Sequence, residues 1–297
     1  MKNISRIVIL LLFLSLMIGC ASPTSVPQAI VENTPSPAPS STPEPTITSE
    51  PSATSEIAES ATSSAPSSTV STGQHSFTSE KAQRNYLLFL PTAYGKDPQQ
   101  KWPLILFLHG SGTRGSNVDN LKFEALPQIL EFTPDFPAIV LSPQLTDENN
   151  EEFWTGERVV ESVFTLLDEV QSTYSVDPTR VYLTGVSIGG NGTWAYGLRY
   201  PDRFAALVPA MGFFGDTSGF FVPDNICDLK NVPIWAFHGG QDPIVPLEAE
   251  EGIINALKAC GGNIQFTIYP DGDHDISGRV YNNNTDLYTW LLAQSMK

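Results

Sequence analysis

Apolar positions fall into three regimes along the chain. Ile7–Ile18 is a run of twelve apolar or small residues, residues 21–72 carry few large aliphatic side chains and no aromatic, and from about residue 73 short apolar runs alternate with spaced ones. Tyr86–Leu90 (YLLFL), Leu104–Leu108 (LILFL) and Ala138–Leu141 (AIVL) show no polar alternation, the pattern of strands buried on both faces. Val181–Leu183, Phe204–Val208, Ile234–Phe237 and Ile264–Ile268 predict further strands. Between them lie helical spacings. Val159, Val160, Val163, Phe164, Leu166, Leu167 and Val170 share one face over Glu157–Tyr174, and Asp177-Pro178 follows as a stop. Further helices are expected from Gly190 to about Arg199, over Leu247–Ala259 and over Asp286–Gln294. Strands alternating with helices predict an α/β domain with a mostly parallel central sheet and helices on both faces.

The first regime is a targeting pattern. Twelve residues make about 18 Å of helix, too short for a hydrocarbon core of about 30 Å, so a secretory h-region is expected behind Lys2 and Arg6. It ends in Leu16-Met17-Ile18-Gly19-Cys20, which resembles the lipobox of bacterial lipoproteins, with Met17 in place of the usual Leu. That resemblance implies cleavage before Cys20, lipidation of Cys20, and anchoring to the outer face of a bacterial cell membrane. Residues 20–72 then read as a lipidated Cys and a leash, since Pro, Ser and Thr fill 32 of the 52 positions after Cys20. Such a segment buries too little apolar surface to offset chain entropy. Residues 73–297 form the expected catalytic domain.

Charge narrows the partners. The formal net charge is −16, and positions 73–297 hold 14 basic against 27 acidic residues. A surface that acidic repels phosphate backbones and anionic headgroups, which argues against nucleic acid and against adsorption by charge. With Cys20 assigned to lipid, Cys227 and Cys260 remain as an even pair in an exported domain. A disulfide between them is expected, with two unpaired buried cysteines the alternative.

The chemistry sits between a predicted strand and a predicted helix, at Gly185-Val186-Ser187-Ile188-Gly189. G-x-S-x-G in that context is a nucleophile elbow, a sharp turn that lifts the Ser187 hydroxyl above the carboxyl edge of the sheet. Serine needs a base to take its proton. Of His75, His109, His238 and His274, the last lies in the polar loop Pro270–Asp275 beyond the final strand, where the order Ser…Asp/Glu…His places it. His109 and His238 end strands before Gly and are expected to shape loops. Asp242, after the strand at 234–237, is the expected third member. Asp216, Asp224 and Asp228 share the interval without a comparable buried strand before them. The oxyanion donors are expected to be the backbone N–H groups of Ile188 and Ser111, with Gly112 as the alternative to Ser111. Asp271, Asp273 and Asp275 mimic a calcium loop, but Ile276 and Asn282 stand where its Gly and Glu belong. Trp154 is a candidate wall of the substrate pocket, with core packing as its other role.

YLLFLPTAY, PLILFLHGSGTRG, RVYLTGVSIGGNGTWAYGLRYPDRFAALVP, VPIWAFHGGQDPIVP and YPDGDHD together resemble secreted α/β-hydrolase esterases. The nearest branch is the phospholipase/carboxylesterase-like, polyhydroxybutyrate depolymerase-like and feruloyl esterase-like group, itself related to prolyl oligopeptidase catalytic domains. The similarity covers about Tyr86 to Leu292. It implies the α/β-hydrolase fold, a Ser187–His274–Asp242 triad without metal or organic cofactor, and hydrolysis of carboxylic esters through an acyl-enzyme. The ester would be small or polysaccharide-linked. Ile276-Ser277-Gly278 stands where relatives often carry an aromatic residue, so the pocket departs from the branch there. A prolyl oligopeptidase-like peptidase and a non-catalytic surface-binding hydrolase fold are the rival functions.

Overall fold

The computed structural model describes residues 71–146, 153–216, 219–282 and 284–297. The expected signal peptide, Cys20 and the leash up to Val70 lie outside the described residues.

The apolar runs all enter one eight-stranded sheet. In chain order the strands are β1 (Gly73–Ser79), β2 (Arg84–Leu90), β3 (Trp102–Leu108), β4 (Ile139–Pro143), β5 (Val176–Val186) and β6 (Ala206–Ala210). A short antiparallel pair follows, β7 (Gly215–Asp216) and β8 (Gly219–Phe220), then β9 (Ile234–Gly239) and β10 (Ile264–Tyr269) return to the main sheet. Across that sheet the order is β1-β2-β4-β3-β5-β6-β9-β10. Pairing is parallel from β4 to β10 and antiparallel only where β1 meets β2 and β2 meets β4. This is the α/β-hydrolase architecture expected from the sequence.

β3 shows why the apolar runs lack alternation. Leu104, Leu106 and Leu108 enter one core with side chains of α2 (Glu157–Thr173), α3 (Ile188–Arg199) and α4 (Leu247–Ala259). Ile105 and Phe107 enter the opposite core with α1 (Ala125–Leu130) and α5 (Thr285–Leu292). Every β3 residue is buried, and each such large side chain contributes about 1.5–3 kcal/mol by leaving water. On α2 all seven positions of the apolar face are buried.

Three of the differences from the sequence reading have local causes. β1 is polar (GQHSFTS) yet pairs with β2 from Gly73↔Leu90 to Ser79↔Arg84. As an edge strand it needs the ladder rather than an apolar face. β5 begins at Val176, so Asp177-Pro178 marks the start of a strand as well as the end of the helix before it. β6 starts two residues later than Phe204, because the Ala205 N–H bonds the Val181 carbonyl before regular pairing begins. Cys227 and Cys260 are bridged, with 5.8 Å between their Cα atoms, fastening α4 to the turn at Ile226–Asn231. Among the described residues no helix is long and apolar enough to cross a membrane.

Candidate active site

Ser187 stands alone between β5, which ends at Val186, and α3, which starts at Ile188. Its backbone is forced to φ 56°, a conformation that costs a non-glycine residue energy unless its surroundings hold it there. Those surroundings are visible. The Ser187 N–H bonds the Ala210 carbonyl of β6 at 3.0 Å, and the Ser187 carbonyl accepts from the Asn191 N–H at 2.9 Å. A Cβ on Gly189 would lie 1.9 Å from the Leu108 carbonyl oxygen, so only glycine lets the helix start this close to β3.

His274 reaches the serine from beyond β10, at the sheet edge. Its Nε2 is 2.9 Å from Ser187 Oγ, and its Nδ1 is 2.7 Å from Asp242 Oδ2. The partners fix the tautomer: Nδ1–H donates to the carboxylate, leaving Nε2 free to accept the serine proton. The Asp242 side chain is fully buried while His274 keeps 24 % exposure, open to a substrate. Asp242 Oδ1 accepts the Ile244 and Val245 N–H groups at 2.8 and 2.9 Å. The loops carrying acid and base touch directly, since a Cβ on Gly239 would meet the Asp273 carbonyl oxygen at 2.0 Å.

The loop after β3 forms the other wall. Ser111–Thr113 makes a single 3-10 turn, and Glu124 ties it down by accepting the Gly110 N–H at 3.0 Å and the Thr113 hydroxyl. Burial pushes the Glu124 carboxyl above its ordinary range, against the opposing pull of those two bonds. Gly110, Ser111 and Gly112 line a cavity of about 410 Å³ together with Ser187 and His274. Ser111 and Gly112 both face it. The Ile188 N–H belongs to the first turn of α3, where backbone donors have no intrahelical acceptor.

Sequence reasoning missed several residues of this cavity. Phe123, Glu124, Ala125, Gln128, Met211, Asp275 and Ser277 also line it. Glu124 lies in a stretch without periodicity, and nothing local marks it. Ser277 sits in the segment Ile276–Gly278, where the sequence departs from the branch it resembles, and Asp275 directly precedes it; between them Ile276 is buried in the core.

Trp154 requires a correction. It is fully buried and does not line the cavity. Its Nε1–H donates to the His109 carbonyl at 3.0 Å, and its ring meets the His109 ring edge-on at 5.0 Å. Trp154 thus braces the start of the 109–115 loop from behind. His109 itself donates from Nδ1 to the Gly110 carbonyl at 2.6 Å and accepts the Leu145 N–H on Nε2 at 2.9 Å. Burial lowers its pKa to about 4, so it stays neutral. His75 is remote, on edge strand β1. Asp271 pairs with Arg279 at 2.7 Å, and no group of three or more His, Cys, Asp or Glu among the described residues is placed to hold a metal.

Comparison with known proteins agrees with this architecture. The sequence pattern of the dienelactone hydrolase family matches residues 76–285. A putative carboxymethylenebutenolidase of Salmonella typhimurium is 34% identical over 101 residues, which are 33% of this chain and 37% of that protein. A bifunctional acetylxylan esterase/xylanase of Neocallimastix patriciarum is 26% identical over 195 residues, 63% of this chain and 26% of its own length. Among solved structures, a thermostable esterase superposes with a TM-score of 0.56 at 27% identity, covering 75% of this chain and 62% of that one. The chain thus spans little more than a third of the first of these relatives.

Proposed function

This chain belongs to the dienelactone hydrolase family, and from that premise we propose that it is a serine-dependent carboxylic ester hydrolase. The observation that carries the reading is the unbroken line Ser187 Oγ–His274–Asp242, at 2.9 and 2.7 Å. His274 Nε2 takes the Ser187 proton as Oγ attacks the ester carbonyl, and Asp242 stabilises the imidazolium that forms. The Ile188 and Ser111 N–H groups hold the oxyanion. His274 then returns the proton to the leaving alcohol, and water repeats the sequence on the acyl-enzyme to release the acid. No step calls on a metal or organic cofactor.

The cavity lining favours a neutral acyl group. Phe123, Ala125, Val186 and Met211 give apolar surface, Glu124 and Asp275 bring carboxylates, and among the described residues neither Lys nor Arg lines the cavity. A carboxymethylene-bearing lactone, ionised at neutral pH, would be repelled by those carboxylates with no cation to receive it. An acetyl or feruloyl ester linked to a polysaccharide meets no such penalty, and the likeness to an acetylxylan esterase supports that class. The Leu16–Cys20 sequence supports export and lipid anchoring to the outer face of a bacterial membrane.

Hydrolysis of p-nitrophenyl acetate, an acetylated or feruloylated xylan fragment and a peptide amide tests the reading, with Ser187→Ala as control. Ester cleavage that is lost in Ser187→Ala is expected. Ester cleavage that survives the substitution refutes the mechanism, and cleavage of the amide alone makes the protein a peptidase. For the anchor, Cys20→Ser should release the protein from membranes.

A further inference from the structure

A second imidazole lies behind the first. His238, the penultimate residue of β9, is fully buried, and its Nε2 lies 2.9 Å from the Val245 carbonyl and 3.4 Å from Asp242 Oδ2. That is the same carboxylate oxygen that receives His274 Nδ1–H. On its other side His238 Nδ1 lies 2.6 Å from Oε2 of Glu250, whose side chain on α4 is also fully buried. Glu250 Oε1 accepts the Trp194 indole N–H at 2.9 Å, and the carboxylate also receives the Gly212 backbone N–H.

The hydrogen-bond inventory fixes where the protons sit. The Val245 carbonyl only accepts, so Nε2 carries a proton. The Trp194 indole N–H and the Gly212 N–H can only donate to Glu250, the arrangement of an ionised carboxylate, so Nδ1 carries a proton as well. Burial opposes the His238 cation, but the bond and charge of Glu250 outweigh it and its pKa is raised. Burial likewise pulls Glu250 toward its neutral form; three converging donors hold the charge there, and the proton belongs on His238.

We propose that His238, held by Glu250, is a positioning residue of the esterase site: its Nε2–H holds the Val245 carbonyl, the Val245 N–H holds Asp242 Oδ1, and the imidazolium charge 3.4 Å from Asp242 Oδ2 helps keep the carboxylate aimed at His274. The pair also ties separate parts of the site together. Trp194 lies on the helix that starts at the nucleophile, and Gly212 follows the cavity residue Met211. Glu250 therefore joins the acid loop, the nucleophile helix and one cavity wall through a single buried side chain. Structure alone would not need an ionised pair here; an apolar pair of similar volume would pack the same space without the desolvation cost. The motif around Asp242, His238-Gly239-Gly240-Gln241-Asp242, thus carries two functional side chains instead of one.

The inference rests on the esterase reading, and its test separates the two. Nitrogen-15 histidine spectra of the resting full-length protein should show one imidazole protonated at both nitrogens at neutral pH, and that signal should vanish in Glu250→Gln. An unprotonated His238 Nε2 in the wild-type protein overturns the proposal, whatever the enzyme does to esters. Glu250→Gln keeps the shape and removes the charge; its kcat on p-nitrophenyl acetate should fall about tenfold with KM changed less than about twofold. His238→Gln, which retains an N–H donor, should keep more kcat than His238→Leu. Unchanged kcat in folded Glu250→Gln, or equal loss in the two His238 variants, also overturns it. A wild-type protein inert toward every ester would sink the esterase reading instead, leaving the spectra to decide the proton on His238.

Discussion

Gly189 and the Leu108 carbonyl oxygen are so close that a Cβ on the glycine would lie 1.9 Å from that oxygen. This contact between the start of α3 and the end of β3 sets the height of Ser187 above the sheet. It also makes the final glycine of the elbow a steric requirement. Gly189→Ala must push the helix away from β3, straining a close-packed site by about 1–3 kcal/mol. We expect a lower Tm and loss of most esterase activity. A Gly189→Ala protein with wild-type kcat and Tm would show that the elbow tolerates displacement.

Trp154 gives a prediction that separates bracing from binding. Trp154→Phe keeps most of the ring and deletes the N–H to the His109 carbonyl, leaving a buried acceptor without that partner. Denaturation should show a loss of about 1–3 kcal/mol. KM for short acyl esters should not change, because Trp154 is absent from the cavity wall. A several-fold rise in KM with unchanged stability would return Trp154 to the substrate.

His109 supplies a pH dependence. Its folded pKa is lowered by burial to about 4, from an ordinary 6.5. Between those values the unfolded chain binds a proton that the folded protein does not, so stability must fall as pH drops through this window and is fully present above it. The contribution at stake is on the order of 3 kcal/mol. Urea midpoints at pH 7 and pH 4.5, compared with those of His109→Gln, isolate it from the carboxylates. The variant should lose less stability on acidification; an equal loss would assign the effect elsewhere.

The Cys227–Cys260 bridge closes a loop with a sequence separation of 33. Removing it by the double Cys→Ser change should cost about 2–4 kcal/mol, read as a Tm lowered by roughly 5–10 °C. Because the bridge holds α4, and with it Glu250, activity should fall at temperatures well below the new Tm. Identical melting with and without the bridge would show that packing alone fixes α4.

Much of the fold was legible because burial leaves a one-dimensional trace. LILFL at 104–108 has no polar alternation because α2–α4 cover one face and α1 and α5 the other. The seven-residue face of α2 is equally direct. β1 was not legible, since an edge strand is held by backbone hydrogen bonds that any sequence supplies. Nor was α1, a six-residue helix too short to show a period.

At the candidate site, local chain geometry wrote Ser187, His274 and Asp242 into the sequence, each at a turn after a strand with glycines where backbones collide. Sequence by itself therefore determined the α/β alternation, the elbow and the order of the three candidate catalytic side chains. Tertiary structure decided what stands around them. Glu124 closes on Gly110 from 14 positions away, Trp154 turns inward to brace His109, and Glu250 reaches His238 and Trp194 from a different helix. Those are contacts between segments set apart along the chain. A buried charge leaves no periodic signature in its own segment, because what makes its burial tolerable is a partner supplied by another part of the chain.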